Sequence, residues 1–586
     1  PPDVRRVVDQ FQPTGMAQVK ASVTRHPPTQ EFPKGNVEIH AWLDLNERCS
    51  ITWAGLPYPV SNLKGQLEIH PDSWVFKEMQ GSNGQAMIQG SGRVKRVGPR
   101  PNDLDVALHL RAENLPFDQQ LRDALPPEWQ KTWSTLNPAG TSTVDARIEV
   151  APGRDHYLIA IDPGPETRVR LELPPLPGMS GVASERPPEP VRLPVMEDVV
   201  GTFVYEDGTV SMAGVGFNFR GSPVNFETGT VRVEKSGKFH LVVRDLAITD
   251  FRLDAGLRTL MPPVMAQFTR RFSDEAIAHC GGDLAIGWSV DPGQLAWCAW
   301  ENGLVVLNGN TIQTGFPIEH LQGQIEQLKG GFDGRNLSVL RLVVLDSVTV
   351  LGQQVTRLTS PIFVKDGRAG LSELKGVVLG GRLGGKVDLT LDTTPKYNLA
   401  LQVHDAELQR FTKTVPGTQS LQGQVSGWLT LNGIGNDARS IQGRGEAHLR
   451  NGQLGELPPV LRLVELLKLR GSRKTAFDSA DVALVIENGM TNFNPIRFSG
   501  DTVTLEGGGT LDTSGLLDLR LHPRYGRDRL RFPLVSDALR EASGQFLVVR
   551  VTGSPSVPKY RLEPLPTASD AVKSLGNRLT NPASTR

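Results

Sequence analysis

The side-chain combinations that could do chemistry are few in this 586-residue chain. Ser-x-x-Lys occurs three times, at Ser61–Lys64, Ser372–Lys375 and Ser556–Lys559. A lysine can activate a serine nucleophile only within hydrogen-bond reach. Positions i and i+3 share a face on a helix but point to opposite faces of a strand. All three stretches read as strand, so none assembles a nucleophile and base. Gly507-Gly508-Gly509 could cradle a phosphate only if a helix followed to offer free N–H groups. No helix pattern follows, and the triplet reads as a bend or bulge in a strand. His279, Cys280 and Cys298 are ligand types close in sequence, but a pocket wall or a plain core is the better reading of them. There is no His-Glu-x-x-His, no G-x-S-x-G, no Walker loop and no Cys-x-x-Cys. The expectation is therefore a protein that is not an enzyme, without catalytic residues, metal or cofactor.

The bulk properties narrow the class further. The 63 Lys and Arg balance the 63 Asp and Glu, which leaves no basic footprint for nucleic acid. Apolar residues make up 38% and charged residues 22%, a balance that supports a folded core. Three cysteines cannot build a disulfide scaffold or a four-cysteine zinc site. A single Cys280–Cys298 bridge in an oxidising compartment and three buried thiols are the two readings left open. No run approaches the ~18 apolar residues of a spanning helix, and there is no signal peptide. The opening Pro1-Pro2-Asp3 reads as mid-sequence, so the chain is expected to be a piece of a longer protein.

The elements that would position any site repeat along the chain, and such repeats are the first organisational signal. Pro1-Pro2-Asp3-Val4 through Gly15 returns as Pro126-Pro127-Glu128-Trp129 through Gly140, and more loosely from Pro262-Pro263 to Gly282. Pro59-Val60-Ser61-Asn62-Leu63-Lys64-Gly65 returns as Pro317-Ile318-Glu319-His320-Leu321-Gln322-Gly323, with an extended copy from Pro194 to Gly201. A third phrase, Leu110 to Phe117, is echoed at Val243–Phe251 and Val403–Phe411. The boundaries that follow are repeat units at 1–125, 126–261 and 262–419, a C-terminal region at 420–566 and a disordered tail at 567–586, rich in Ser, Thr, Asn and Pro.

Between the repeat landmarks, period-two alternation dominates, punctuated by Gly, Asn-Gly and Asp-Gly. Asp207-Gly208, Asn302-Gly303, Asn451-Gly452 and Asn488-Gly489 read as hairpin turns. Helices are expected only near 117–136, 252–274 and 457–470, with a weak one at 535–543. The predicted fold is mainly β: an elongated, twisted antiparallel sheet or groove of repeated β units, with a few short crossing helices. With strands about 4.8 Å apart, roughly 35 of them would extend to about 170 Å. Strict alternation gives such a sheet one apolar face and one wet face.

The C-terminal third carries a more specific signal. In order it reads "RNGQLGELPPVLRLVELL", "FDSADVALVIENG", "FSGDTVTLEGGGTLD" and "LLDLRL". This succession resembles the C-terminal region of AsmA-like proteins of bacterial envelopes, best over about 420–555. The resemblance implies a repeating β-groove protein in the periplasm, held to the inner membrane by a segment outside this chain. It further implies carriage of phospholipid between the inner and outer membranes, or upkeep of the outer membrane.

Alternation assigns candidate groove residues: Val387, Leu389 and Leu391 in one strand, Val503, Leu505 and Leu511 in another. A one-residue slip of register would turn either set outward. Leu461, Val464 and Leu467 belong to the expected helix at 457–470, which is apolar around most of its circumference. That helix reads either as a cover over the end of the sheet or as a lid touching lipid or membrane. The partners expected are phospholipids and the two membranes. The alternative is a dry envelope scaffold that binds an outer-membrane biogenesis protein.

Overall fold

The structure is a computed structural model. It describes residues 11–28, 30, 35–98, 103–173, 191–234, 238–259, 261, 263–274, 277–289, 297–314, 317–392, 394–412, 422–453, 477–500, 503–525, 547–555 and 557–564. Among these residues are 33 strands, of which 31 belong to one open sheet, and every register resolved between them is antiparallel. The expected mainly β, antiparallel fold with few short helices is what the chain adopts.

By compactness the chain divides into two units. The first takes 1–266, 276–305 and 329–336. Its ladder runs by successive hairpins from Gln18–His26 through Asn36–Trp53, Leu56–His70, Ser73–Asn83, Ala86–Arg96 and Leu104–Pro116. It continues through Thr141–Ala151, Arg154–Pro163, Met196–Glu206, Thr209–Phe219, Ser222–Val233 and Lys238–Phe251 to Ile277–Ser289. The second unit takes 267–275, 306–328 and 337–586. There the ladder runs without interruption from Leu337–Val350 to Val557–Pro564.

The repeated phrases have one physical meaning each. In the second phrase Asn62, Asp198 and His320 all adopt positive φ. The next residue in each copy, Leu63, Val199 and Leu321, is buried. Two residues later Gly65, Gly201 and Gly323 sit at φ 132°, 124° and 139°. A Cβ at Gly323 would lie 2.6 Å from Leu345 Cα, so only glycine fits there. In the third phrase Asn114, Asp245 and Asp405 take positive φ, and the ladder slips at each, between Ala112 and Leu115, Val243 and Leu246, and Val403 and Ala406. Each is a β-bulge. The extra residue returns Leu115, Leu246 and Ala406 to the face that plain alternation would have left.

Bulges also correct two expected turns. Asp207-Gly208 and Asn488-Gly489 do join hairpins, with positive φ at both residues. Asn302 and Asn451 instead lie inside the strands Trp297–Gln313 and Gln442–Gln453, each with φ 52°. The expected helix at 117–136 is two helices, Gln119–Ala124 and Pro127–Leu136. Leu125 stands before Pro126, where the ring excludes helical backbone, and it is extended at ψ 149°. The stretch 252–274 likewise holds two short helices, Ala255–Arg258 and Pro263–Thr269. A short helix not expected from the sequence, Leu408–Thr412, follows the third-phrase bulge. The expected helices at 457–470 and 535–543, and the tail at 567–586, lie outside the described residues.

The short helices cover apolar surface where a repeat unit ends. Asp118 caps Gln119–Ala124 by accepting from Leu121 N–H at 2.8 Å. Leu121 and Ala124 then bury against Tyr58, Ala86 and Leu115. Phe117 meets Trp133 edge to face at 5.7 Å.

Candidate functional site: one apolar face of the sheet

Directly paired residues of an antiparallel ladder point to the same side. The registers therefore define the faces of the second unit without ambiguity. One row runs Leu371–Val387–Leu399–Leu431–Gly443–Ile486–Thr491–Leu511–Leu517. The next runs Gly385–Leu401–Leu429–Gly445–Leu484–Phe493–Gly509–Leu519–Val551–Tyr560. A third contains Ala406, Val425, Leu449, Ala480, Phe498 and Leu505. These rows form a single apolar field crossing up to ten strands.

Val387, Leu389, Leu505 and Leu511 project from this field, because their positions share parity with its rows, whereas Leu391 follows the end of its strand at Thr390 and is buried. Val503 begins its strand opposite Tyr525, and its side chain lies outside the described residues. Leu461, Val464 and Leu467 also lie outside them. Burial grades across the field. Leu505 is 0% exposed and packs in a cluster with Phe477, Ile496, Leu521 and Val549. Leu401, Leu429, Leu431, Leu484, Ile486, Leu511 and Leu517 remain partly exposed. Leu505 is thus a core anchor at one margin, while Val387, Leu389 and Leu511 face space that water reaches.

Glycines are set into the rows between larger residues. A Cβ at Gly443 would lie 2.5 Å from a Leu431 methyl, and one at Gly445 3.0 Å from a Leu429 methyl. The neighbouring leucines lean over the glycines and tile the face. Gly507 and Gly509 belong to the same field, opposite Leu521 and Leu519. The bulge anticipated at this triplet lies instead on the neighbouring strand, between Phe493 and Ile496.

The opposite face carries charge. Arg550 grips Asp518 with two hydrogen bonds of 2.9 Å, and Arg497 donates to Glu506 at 2.9 Å. These guanidinium contacts hold both carboxyls below their usual range. Burial pushes the Asp481 carboxyl up, but hydrogen bonds from His448 and Arg450 outweigh it and leave that group lowered. This face also carries exposed apolar side chains: Leu340, Leu342 and Val344 on the strand Leu337–Val350, and Trp428 and Val485 further along the ladder.

Ser61 and Lys64 occupy one strand, as do Ser372 and Lys375, and a register slip falls inside each stretch. The three cysteines are unbridged. Burial pushes the Cys280 thiol up to about 11 and raises that of Cys298. Such thiols are poor nucleophiles and poor metal ligands at neutral pH.

Residues 323–496 match the model of the AsmA family. Over this segment the chain is AsmA-like. The matched stretch starts well upstream of the region where the sequence phrases pointed and ends inside the strand Met490–Ser499. It contains most of the apolar field, including Val387 and Leu389, and stops short of Leu505 and Leu511. The match suggests an envelope-associated role. No curated protein matches the chain. Among the described residues no helix is long and apolar enough to cross a membrane.

Proposed function

We propose that this AsmA-like chain is a non-catalytic carrier surface for phospholipid, working between the inner and outer membranes. Acyl chains would lie across the field of Val387, Leu399, Leu401, Leu429, Leu431 and Leu511, with headgroups left in water. The observation that supports this reading most is the continuity of that field. It crosses up to ten strands with no charged residue in its central rows, and much of it stays partly exposed. A closed core would bury such leucines fully. A surface of many similar weak contacts holds an acyl chain without trapping it, as movement along a path requires. A periplasmic location, with an anchor supplied by sequence outside this chain, belongs to the same proposal.

A second reading is favoured by a different observation. Leu340, Leu342 and Val344 make an exposed apolar stripe on the charged face. Such a stripe suits docking of an envelope protein, and under that reading the chain is a scaffold. Native mass spectrometry of the mildly purified chain separates the two. Phospholipid bound to the wild type and lost from a folded Leu429→Asp variant supports the carrier. A chain that is lipid-free in every mild preparation favours the scaffold.

A further inference from the structure

The first unit carries an apolar face of its own. The directly paired residues Leu110–Ala146–Ile159–Tyr205–Val210–Val231 form an uncharged row across six strands. The adjoining row includes Ala112, Val144, Ile161 and Phe203. The helix Pro127–Leu136 stands on this face. Trp129 and Trp133 are one turn apart and share a side of the helix. Trp129 meets Tyr205 edge to face, with ring centroids 5.0 Å apart. Trp133 meets Phe117 and packs, with Ala112 and Val144, on the cluster around Leu115 and Leu121. The helix thus reaches from the strands Leu104–Pro116 and Thr141–Ala151 to Met196–Glu206, over the intervening strand Arg154–Pro163.

It covers the face without sealing it. No residue of the helix is buried, and Ile159, Ile161 and Phe203 stay partly exposed. A helix that belongs to a core buries its apolar side. Here the hydroxyls of Thr132, Ser134 and Thr135 bond back to the helix's own carbonyls, at Glu128, Gln130 and Lys131. Hydrogen bonds from Gln130 to Leu125 O and from Arg170 N–H to Leu136 O tether the two ends. Just outside those ends the backbone is not helical: Leu125 is extended at ψ 149°, and Asn137 is left-handed at φ 41°. Residues at the ends of an element are where the rotation of a moving part is absorbed.

We propose that Pro127–Leu136 is a displaceable strap over the apolar face of the first unit, and that the acyl chain of a phospholipid displaces it. The Trp129–Tyr205 contact is its closed position. A ligand opens such a device only by binding the open state better. An acyl chain does so by taking the place of Trp129 on Tyr205 and the isoleucines beside it. The inference rests on the carrier reading and extends it from the second unit to the first.

The test is hydrogen exchange of the whole chain before and after incubation with vesicles of phosphatidylethanolamine and phosphatidylglycerol that hold a trace of fluorescent phospholipid. Fluorescence retained by the chain after the vesicles are removed measures loading. In the loaded wild type the amides of 128–137 should exchange several-fold faster, while those of Thr141–Ala151 keep their protection. Trp129→Ala should show the fast exchange without lipid and load roughly 2–10-fold faster, the worth of one edge-to-face aromatic pair. Trp129→Phe keeps an aromatic edge for Tyr205 and should load at close to the wild-type rate. Urea unfolding verifies that both variants are folded. A loaded wild type whose 128–137 amides exchange as before overturns the strap and leaves the carrier reading standing. A folded Trp129→Ala that loads at the wild-type rate also overturns it and makes the helix a fixed brace. No lipid on the wild type or on either variant overturns both readings, because the helix then covers a face that carries nothing.

Discussion

At the residue scale the apolar field contains two kinds of leucine. Leu505 has no exposure and touches Ile496, Leu521 and Val549, whereas Leu511, in the same strand and on the same face, is partly exposed. Leu505→Asp would bury a charge without a partner and should cost roughly 3–5 kcal/mol of stability. Leu511→Asp should cost roughly 1–2 kcal/mol, because water can solvate the carboxylate. Urea unfolding of the two variants checks the ranking, and equal losses would contradict the graded burial. Sequence alternation places both residues on one face but cannot grade them. Their difference depends on Phe477 and Val549, which lie on other segments. The Trp129–Tyr205 contact was equally invisible: the two lie far apart in sequence, and only the folded chain brings helix and strand together.

At the scale of elements, the repeated phrases are legible as repeats but not as bulges. Asn114, Asp245 and Asp405 look like ordinary polar positions in alternating strands, and their left-handed backbone emerges only with the pairing. Asn-Gly was ambiguous for the same reason, since positive φ serves a two-residue turn and a bulge alike. Gly323 is the sharpest test of the phrase. Gly323→Ala forces a Cβ against Leu345 and Val344 backbone at φ 139°, and should lose about 1–3 kcal/mol. Gly352→Ala keeps a strained φ of 74° but meets nothing within 4 Å, and should lose less. The charged face makes a pH prediction. Asp518 has a lowered pKa through Arg550, so its stabilisation is present above the unfolded carboxyl value of about 4 and disappears as pH falls through the folded one. Asp518→Asn should therefore melt slightly below the wild type at pH 7, and the difference should close by pH 2–3. A constant difference would mean that the Arg550 contact contributes nothing.

At the scale of the molecule, the mainly β, antiparallel, hairpin-connected sheet was readable from period-two alternation and its punctuation. The same signal gave its one-sided apolar character. Alternation could not locate the helix break that Pro126 imposes, nor the short helix Leu408–Thr412 behind its bulge. It also could not tell an interior strand from an edge. Val19 and Val23 repeat the pattern of Val144 and Ile148, yet they are exposed, because Gln18–His26 pairs on one side only among the described strands. The central claim is that the face carrying Leu429 and Leu431 holds acyl chains and the face carrying Thr430 and Arg444 does not. A photo-crosslinking amino acid placed in turn at Leu429, Leu431, Thr430 and Arg444 in cells tests this most directly. The account predicts phospholipid adducts from Leu429 and Leu431 and none from Thr430 or Arg444. Adducts from both faces alike, or from neither, would contradict it.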